Sequence, residues 1–454
     1  MDVMANKVET QTHRRVTIRS AAILLYLSLI IVLGVATAKR MMPSKNDSGT
    51  TVSSVQPASC RLVLASPMAI DTPIDREIKR QQALIINDGS SDGAFERLGW
   101  LFVKQARLSF DPGFYKLAEQ CAACLEARGS TGPEMLLLRA HVLQSLHHFS
   151  AAETAARELV KLRELPFDYG VLGDILIDQG KIREGAAAYQ KMVDLRPDLQ
   201  SYVRAAQVRW LTGDLDGAIE LMHLATGASS PNDPEAAAWA FTRLALYQLQ
   251  RGATKRALQS CDAALSLRTD YAPAMLARGR VLLATNRPAD AVTELQRAAK
   301  LNPLPEYQWT LADALNVAGD SDQAAQIESQ LINSSEDPRT LSLYLATRQH
   351  DVQRAVKLAQ QELTNRGDVF TLDALAWSLA AAGRTTEAQH YSNQALAEGT
   401  VDARLQLHAG VIAVLNNDKK HAKQRLDQAT GSEQVLLPSE RLLLHHWRET
   451  IGRK

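Results

Sequence analysis

Cys121 and Cys124, in the stretch EQCAACLEA, are the two residues of this chain whose type and spacing best suit chemistry. Thiols three residues apart share one face of a helix, where they can ligate a metal or cycle between dithiol and disulfide. A structural zinc site needs a second such pair, and haem attachment needs a histidine directly after Cys124; the sequence has neither. Small side chains, cysteine among them, are also what close-packed helices bury, so a core role stands beside the redox or metal role. Four scattered cysteines do not make a disulfide framework. His141, His147 and His148 follow in HVLQSLHHF, and only the fold can bring one of them to Cys124. There is no phosphate loop and no HExxH. Acidic residues alternate with Lys and Arg at helical spacing, the pattern of a solvated surface. These observations point to a non-enzymatic protein without a cofactor or a metal ligand set.

The elements that position these residues follow from composition. The chain has 454 residues, 46% of them hydrophobic and only 5% aromatic, with a net charge of +1. Abundant alanine with few aromatic residues favours close-packed helices over sheets. The even charge balance argues against a nucleic-acid partner. Lys255, Arg256, Arg278, Arg280 and Arg287 are dispersed and have no aromatic run among them.

The N-terminal region is of another kind. Ala21 to Ala38, AAILLYLSLIIVLGVATA, carries no charge and lies between Arg14, Arg15 and Arg19 on one side and Lys39 and Arg40 on the other. That length and polarity predict a transmembrane anchor, after a cytoplasmic n-region over 1–20. Ala36-Thr37-Ala38 also has the form of a cleavage site, so a signal peptide removed near Ala38 stands as the alternative. The expected location is the membrane, single-pass, with the bulk of the chain outside the cytoplasm; after cleavage it is secreted or periplasmic. Residues 39–90, rich in Ser and Thr at their start, read as a flexible tether.

The rest of the chain repeats. A turn residue followed five positions later by alanine occurs at Gly213–Ala218, Gly252–Ala257, Gly319–Ala324 and Gly383–Ala388. It occurs again at His147–Ala152, Asn286–Ala291, His350–Ala355 and Asn417–Ala422, and Gly180–Gly185 keeps the gap. Successive turn residues lie 31 to 39 positions apart, most of them 33 or 34. Such a period marks a solenoid. Gly, Asn and His are the residue types that accept the left-handed backbone with which a helix ends and the chain reverses. Seven residues before each turn stands Ala or Gly, with Leu343 the exception, so that two antiparallel helices can approach closely.

The period of 34 and the helix–turn–helix unit resemble the tetratricopeptide repeat. Gly279, Ala291, Ala298 and Pro303 in APAMLARGRVLLATNRPADAVTELQRAAKLNP fall on that family's Gly, Ala, Ala and Pro positions. Gly173, Gly180, Tyr189 and Pro197 mark another unit. Nine repeats run from about Pro133 to Gln434, and a divergent tenth begins near Asp92. The resemblance implies an all-α, right-handed superhelical solenoid over 91–434, with 435–454 as an amphipathic C-terminal capping helix. It also implies a concave groove that binds a protein or peptide partner. The family's groove positions fall here on Trp239, Trp309, Asp313, Tyr344, Phe370, Asp373 and Trp377. The expected function is that of an interaction scaffold, tethered through 21–38 or exported. The alternative is a redox or metal-binding protein centred on Cys121 and Cys124. Nothing in the sequence sets the oligomeric state.

Overall fold

Aspartate opens many of the helices. At Asp198, Asp214, Asp233, Asp320, Asp337, Asp351, Asp368, Asp402 and Asp418 the side chain accepts a hydrogen bond from a backbone N–H in the first turn of the helix that follows. Each such cap satisfies a donor with no partner in its own helix and contributes about 1 kcal/mol. Proline at the first helical position, as at Pro133, Pro166, Pro234, Pro288, Pro305 and Pro338, presets the entry angle without removing a needed donor.

The structure, a computed structural model, describes residues 57–66, 71–88, 91–334 and 337–452. Twenty-three α-helices and one 3-10 turn occur among these residues, and no strand. α1 (Ala58–Ala65) and α2 (Pro73–Asp88) form inside the stretch read as a tether. Helix pairs then follow one another. They are α3 (Asp92–Ser109) with α4 (Gly113–Ala127), α5 (Pro133–Ser145) with α6 (Phe149–Arg163), and α7 (Pro166–Asp178) with α8 (Ile182–Leu195). Next come α9 (Leu199–Leu211) with α10 (Leu215–Gly227), α11 (Pro234–Gln250) with α12 (Thr254–Leu267), and α13 (Ala272–Ala284) with α14 (Pro288–Leu301). The last are α15 (Pro305–Ala318) with α16 (Ser321–Ile332), α17 (Pro338–Thr347) with α18 (Val352–Leu363), α19 (Val369–Ala381) with α20 (Thr385–Ala395), and α21 (Ala403–Leu415) with α22 (Lys419–Thr430). α23 (Pro438–Gly452) lies across the end of the stack and buries Leu444 and Glu440 there.

Eight of the nine turn residues picked out in the sequence have positive φ, from 57° at Asn286 to 91° at Gly319. His350 does not. In that pair Gln349 (φ 53°) and Asp351 (φ 44°) on either side take the left-handed conformation instead. The helix before this turn, α17, has only ten residues, and Asp351 is needed as the cap of α18.

The small residue seven before the turn lies beneath a large side chain of the second helix. A Cβ on Gly173 would lie 2.3 Å from the Tyr189 ring, and on Gly279 2.5 Å from Leu295. The alanines five after the turn, from Ala152 to Ala422, are buried throughout. This small-against-large packing is how neighbouring helices reach interior density.

The stack coils until it meets itself. Contacts between early and late pairs recur at sequence separations of 184 to 189: Arg366 to Asp178, Thr400 to Leu211, and Gln434 to Leu249 and Gln250. That separation is about five and a half repeats of 34 residues. The half-integer offset sets the turns of early pairs against the connections between later pairs. A Cβ on Gly180 would lie 2.3 Å from the Gly367 carbonyl oxygen, and one on Gly213 2.8 Å from that of Gly399. Thr400 Oγ1 donates to the Leu211 carbonyl at 2.6 Å, and Gln250 donates to the Val401 carbonyl. Ile177, Ile182, Leu211, Val369 and Leu405 form an apolar cluster across this seam. The groove of the array is therefore covered by its own later repeats.

Among the described residues no helix is long and apolar enough to cross a membrane. The anchor read at Ala21–Ala38 lies outside the described residues. Single-pass anchoring with the array outside the cytoplasm is thereby corrected: no described helix is long and apolar enough to span a membrane.

Candidate functional site

What remains of the groove is a channel of about 470 Å³ between the two coils. The early pairs line it with the C-terminal ends of their first helices, such as Trp210 and Leu211 of α9 and Tyr247 and Gln250 of α11. The late pairs line it with N-terminal ends, such as Thr340 of α17, Phe370 of α19 and Arg404 of α21. This asymmetry follows from the seam, where turns face connections.

One part of the wall is aromatic. Trp210 stacks on Phe370 across the seam, with ring centroids 5.5 Å apart and planes 17° from parallel, and lies 5.6 Å from Tyr247. Trp210 is held from behind by its indole N–H, which donates to Gln250 Oε1 at 2.8 Å. The Arg243 guanidinium sits over both the Trp210 and Tyr247 rings and donates to Tyr247 Oη at 3.1 Å. Trp210 and Phe370 stay half-buried, which leaves part of the stack open to the channel.

The rest of the wall is an ion-pair network. Arg366 bonds Asp178 at 2.6 Å across the seam and Asp368 at 2.7 Å beside it. Arg339 reaches the same Asp368 at 3.2 Å. Burial works against the Arg366 cation, but the Asp178 and Asp368 carboxylates outweigh it and raise its pKa. Arg404 behaves in the same way through Glu440, 2.5 Å away, which anchors α23 to α21. Burial pushes the Asp402 carboxyl up, and Arg404 and the backbone N–H groups it caps oppose that rise. Half-buried charges of this kind hold a particular register, because removing one partner leaves the other uncompensated.

The groove positions read from the sequence separate into two sets. Trp309, Phe370 and Asp373 line the channel. Trp309 is 1% exposed and presents an indole N–H without a partner among the described residues. The other four have different surroundings. Asp313 is buried, bonded to Arg348 at 2.8 Å and to the Ser439 hydroxyl at 2.6 Å, and so holds the start of α23. Burial raises its pKa against those hydrogen bonds. Tyr344 packs edge-on against Trp309. Trp377 donates to Thr347 and stacks on His408, whose Nδ1 lies 2.8 Å from Asp373. Trp239, 37% exposed, is not part of the channel wall.

The sequence reading missed Trp210, Arg243, Arg366 and Arg404. A signal was present for others: the position six before the turn, which gave Asp313, Tyr344 and Trp377, holds Gln207, Leu246 and Arg280 in earlier repeats, and all three line the channel.

Cys121 and Cys124 do not act as a pair. Cys124 is in a disulfide with Cys60 of α1, while Cys121 is a buried free thiol whose pKa burial pushes up. A thiol so placed is a poor nucleophile. The four cysteines make no framework, but one bridge forms, to Cys60, which lies outside the repeat pattern. His141 packs against Trp100, with ring centroids 5.3 Å apart and planes tilted by 38°. Burial lowers its pKa to about 4, so it is neutral near pH 7. Among the described residues no cluster of three or more His, Cys, Asp or Glu is placed to hold a metal ion.

A family model for the tetratricopeptide repeat matches residues 171–234 and 276–338, which span α7 to α10 and most of α13 to α16. Those stretches are tetratricopeptide repeats. No curated protein matches the chain. Among solved structures, the human IFIT1 dimer with PPP-AAAA is 13% identical and aligns over 80% of this chain and 95% of its own, with a TM-score of 0.45. Yeast Tom70 is 14% identical over 84% and 92%, with a TM-score of 0.36. The APC/C hetero-tetramer Cut9–Hcn1 is 13% identical over 82% and 90%, with a TM-score of 0.35.

Proposed function

We propose that the chain is a non-enzymatic interaction protein that receives a short segment of a protein partner in the channel between its two coils. The repeats over 91–434 serve as the scaffold, and 435–454 closes it. The carrying observation is the half-open Trp210–Phe370 stack, contributed by both coils at the wall of a cavity of about 470 Å³. Such a volume suits a few residues of extended peptide and excludes a folded domain. Aromatic side chains held rigidly from behind are the usual anchors of a peptide interface, because they bury large area at small entropic cost.

A nucleic-acid strand fits this channel poorly. Its lining counts five arginines (Arg243, Arg280, Arg339, Arg366, Arg404) against six carboxylates (Asp178, Glu306, Asp337, Asp368, Asp373, Asp402). A phosphate backbone requires a surplus of cations.

Selection of random capped peptides on the full chain, with affinities then measured on single variants, tests this reading. Trp210→Ala and Phe370→Ala are expected to weaken the selected peptides tenfold or more, the loss typical of an anchor. Trp239→Ala is expected to leave them unchanged. Peptides that bind equally to all three variants, or no enrichment at all, would refute the proposal.

A further inference from the structure

The closing helix α23 carries two stripes at helical spacing. Glu440, Leu444, Trp447 and Ile451 pack toward the stack. Pro438, Arg441, Leu442 and His445, at i, i+3, i+4 and i+7, share another face and line one side of a groove of about 320 Å³. Leu283, Asn286 and Pro288 around the α13–α14 turn and Val317 of α15 line the other side. The groove is preformed, because the first turn of α23 is fixed at two points. Glu440 pairs with Arg404 at 2.5 Å, and Asp313 accepts from the Ser439 N–H and hydroxyl. Its apolar rim is open. Leu442 is 73% exposed, more than any other large apolar side chain among the described residues, and Val317 is 48% exposed. A single exposed leucine is ordinary, but two such side chains beside two prolines at a recess form a contact surface.

The charge in this groove has one sign: the lining holds Arg441 and His445 and no carboxylate. The acids around it serve other cations. Glu440 bonds Arg404, Asp313 bonds Arg348, and Glu433 faces His445 at 3.5 Å. Among the described residues Arg441 has no carboxylate at ion-pair distance, and its guanidinium reaches only the Leu283 carbonyl, at a long 3.5 Å. Burial pushes the Arg441 pKa down, and the pull of Glu433, Asp313 and Glu440 does not offset it. A half-buried guanidinium in this state is completed by a carboxylate from outside.

We infer that this groove is a second docking site, separate from the channel, for a protein segment in which a side-chain carboxylate stands next to a leucine-sized apolar side chain. The carboxylate pairs with the Arg441 guanidinium, whose planar fork suits it. The apolar side chain covers Leu442 and Val317. The volume admits a short segment and excludes a folded domain. A second copy of the chain fits less well, because around a two-fold axis it would present the same cationic face.

The probes are the peptides Ala-Leu-X-Leu-Ala with X as Glu or Gln, acetylated and amidated so that no terminal charge remains. Binding to the full chain is measured by calorimetry. The Glu peptide is expected to bind about tenfold tighter than the Gln peptide, the difference between a charge-assisted and a neutral pair. Arg441→Gln, with an unchanged melting curve, is expected to erase that preference. Leu442→Ser, at an exposed position that the fold does not need, is expected to weaken both peptides alike. Equal binding of the two peptides to the parent chain overturns the inference, as does a preference that survives Arg441→Gln. No binding up to millimolar concentration overturns it as well. A preference lost on Trp210→Ala and kept on Arg441→Gln places the peptide in the channel, which overturns this site and leaves the channel reading standing. Concentration-dependent sedimentation that Leu442→Ser abolishes shows a second copy on the groove, and also overturns it.

Discussion

Gly180 and Gly383 have the same backbone angle, φ 76°, at the same position of their repeats. Their surroundings differ. A Cβ on Gly383 would meet nothing within 4 Å, whereas one on Gly180 would collide with the Gly367 carbonyl across the seam. Replacing Gly383 by Ala should therefore cost only the strain of a left-handed alanine, about 1 kcal/mol. Gly180→Ala should add to that the parting of two backbones, which no rotamer change can relieve. Paired urea titrations measure the difference. Gly180→Ala is expected to be the less stable of the two by at least about 1 kcal/mol and to speed amide exchange around residue 367. Equal destabilisation would mean that the close approach is not a constraint in solution.

At the scale of elements, the helix pairs were legible because each turn imposes a local demand that only Gly, Asn or His meets cheaply, as at Gly213, Asn286 and His147. The buried alanines were legible for a related reason: a helix cannot approach its neighbour over a larger side chain. The turn at His350 was misread because α17 is short and gives the left-handed conformation to Gln349 and Asp351. The channel was legible only in part. Asp373 and Phe370 follow the repeat register, but Arg366 and Gly367 lie in a connection, and their partners depend on a superhelical offset that no single repeat encodes. The same limit hid the staple on α1. Cys60 lies 64 residues before Cys124, and α1 packs on α4. Closing a loop of that length lowers the entropy of the unfolded chain, a stabilisation of about 2–4 kcal/mol. Cys60→Ser should therefore release α1 and α2 while the later repeats hold. Hydrogen exchange is expected to rise over 58–88 and 113–127 and to stay level beyond 166. A rise that spreads evenly to α21 would show the stack to be one cooperative unit, stapled as a whole.

At the scale of the molecule, a coil that closes after about five and a half repeats makes its proposed binding site from two surfaces far apart in sequence. The channel then exists only while the seam is shut, and closure and ligand binding are linked: whatever binds both coils favours the shut form, by an amount equal to what shutting adds to affinity. Thr400 and Gln434 are the places to test this, because both bond across the seam and neither lines the channel. Thr400→Val removes the donor to the buried Leu211 carbonyl, and an unmet carbonyl there costs about 1–3 kcal/mol. Gln434→Ala removes the bonds to Leu249 and Gln250. The double variant is expected to show a larger radius of gyration in solution scattering and faster exchange over 362–367 and 396–401. It should bind a selected peptide more weakly, although no channel residue has changed. Saturating peptide should return the scattering curve to that of the parent chain, since linkage runs in both directions. If the variant opens yet binds the peptide with parental affinity, one coil alone makes the site, and the Trp210–Phe370 stack across the seam is not part of it.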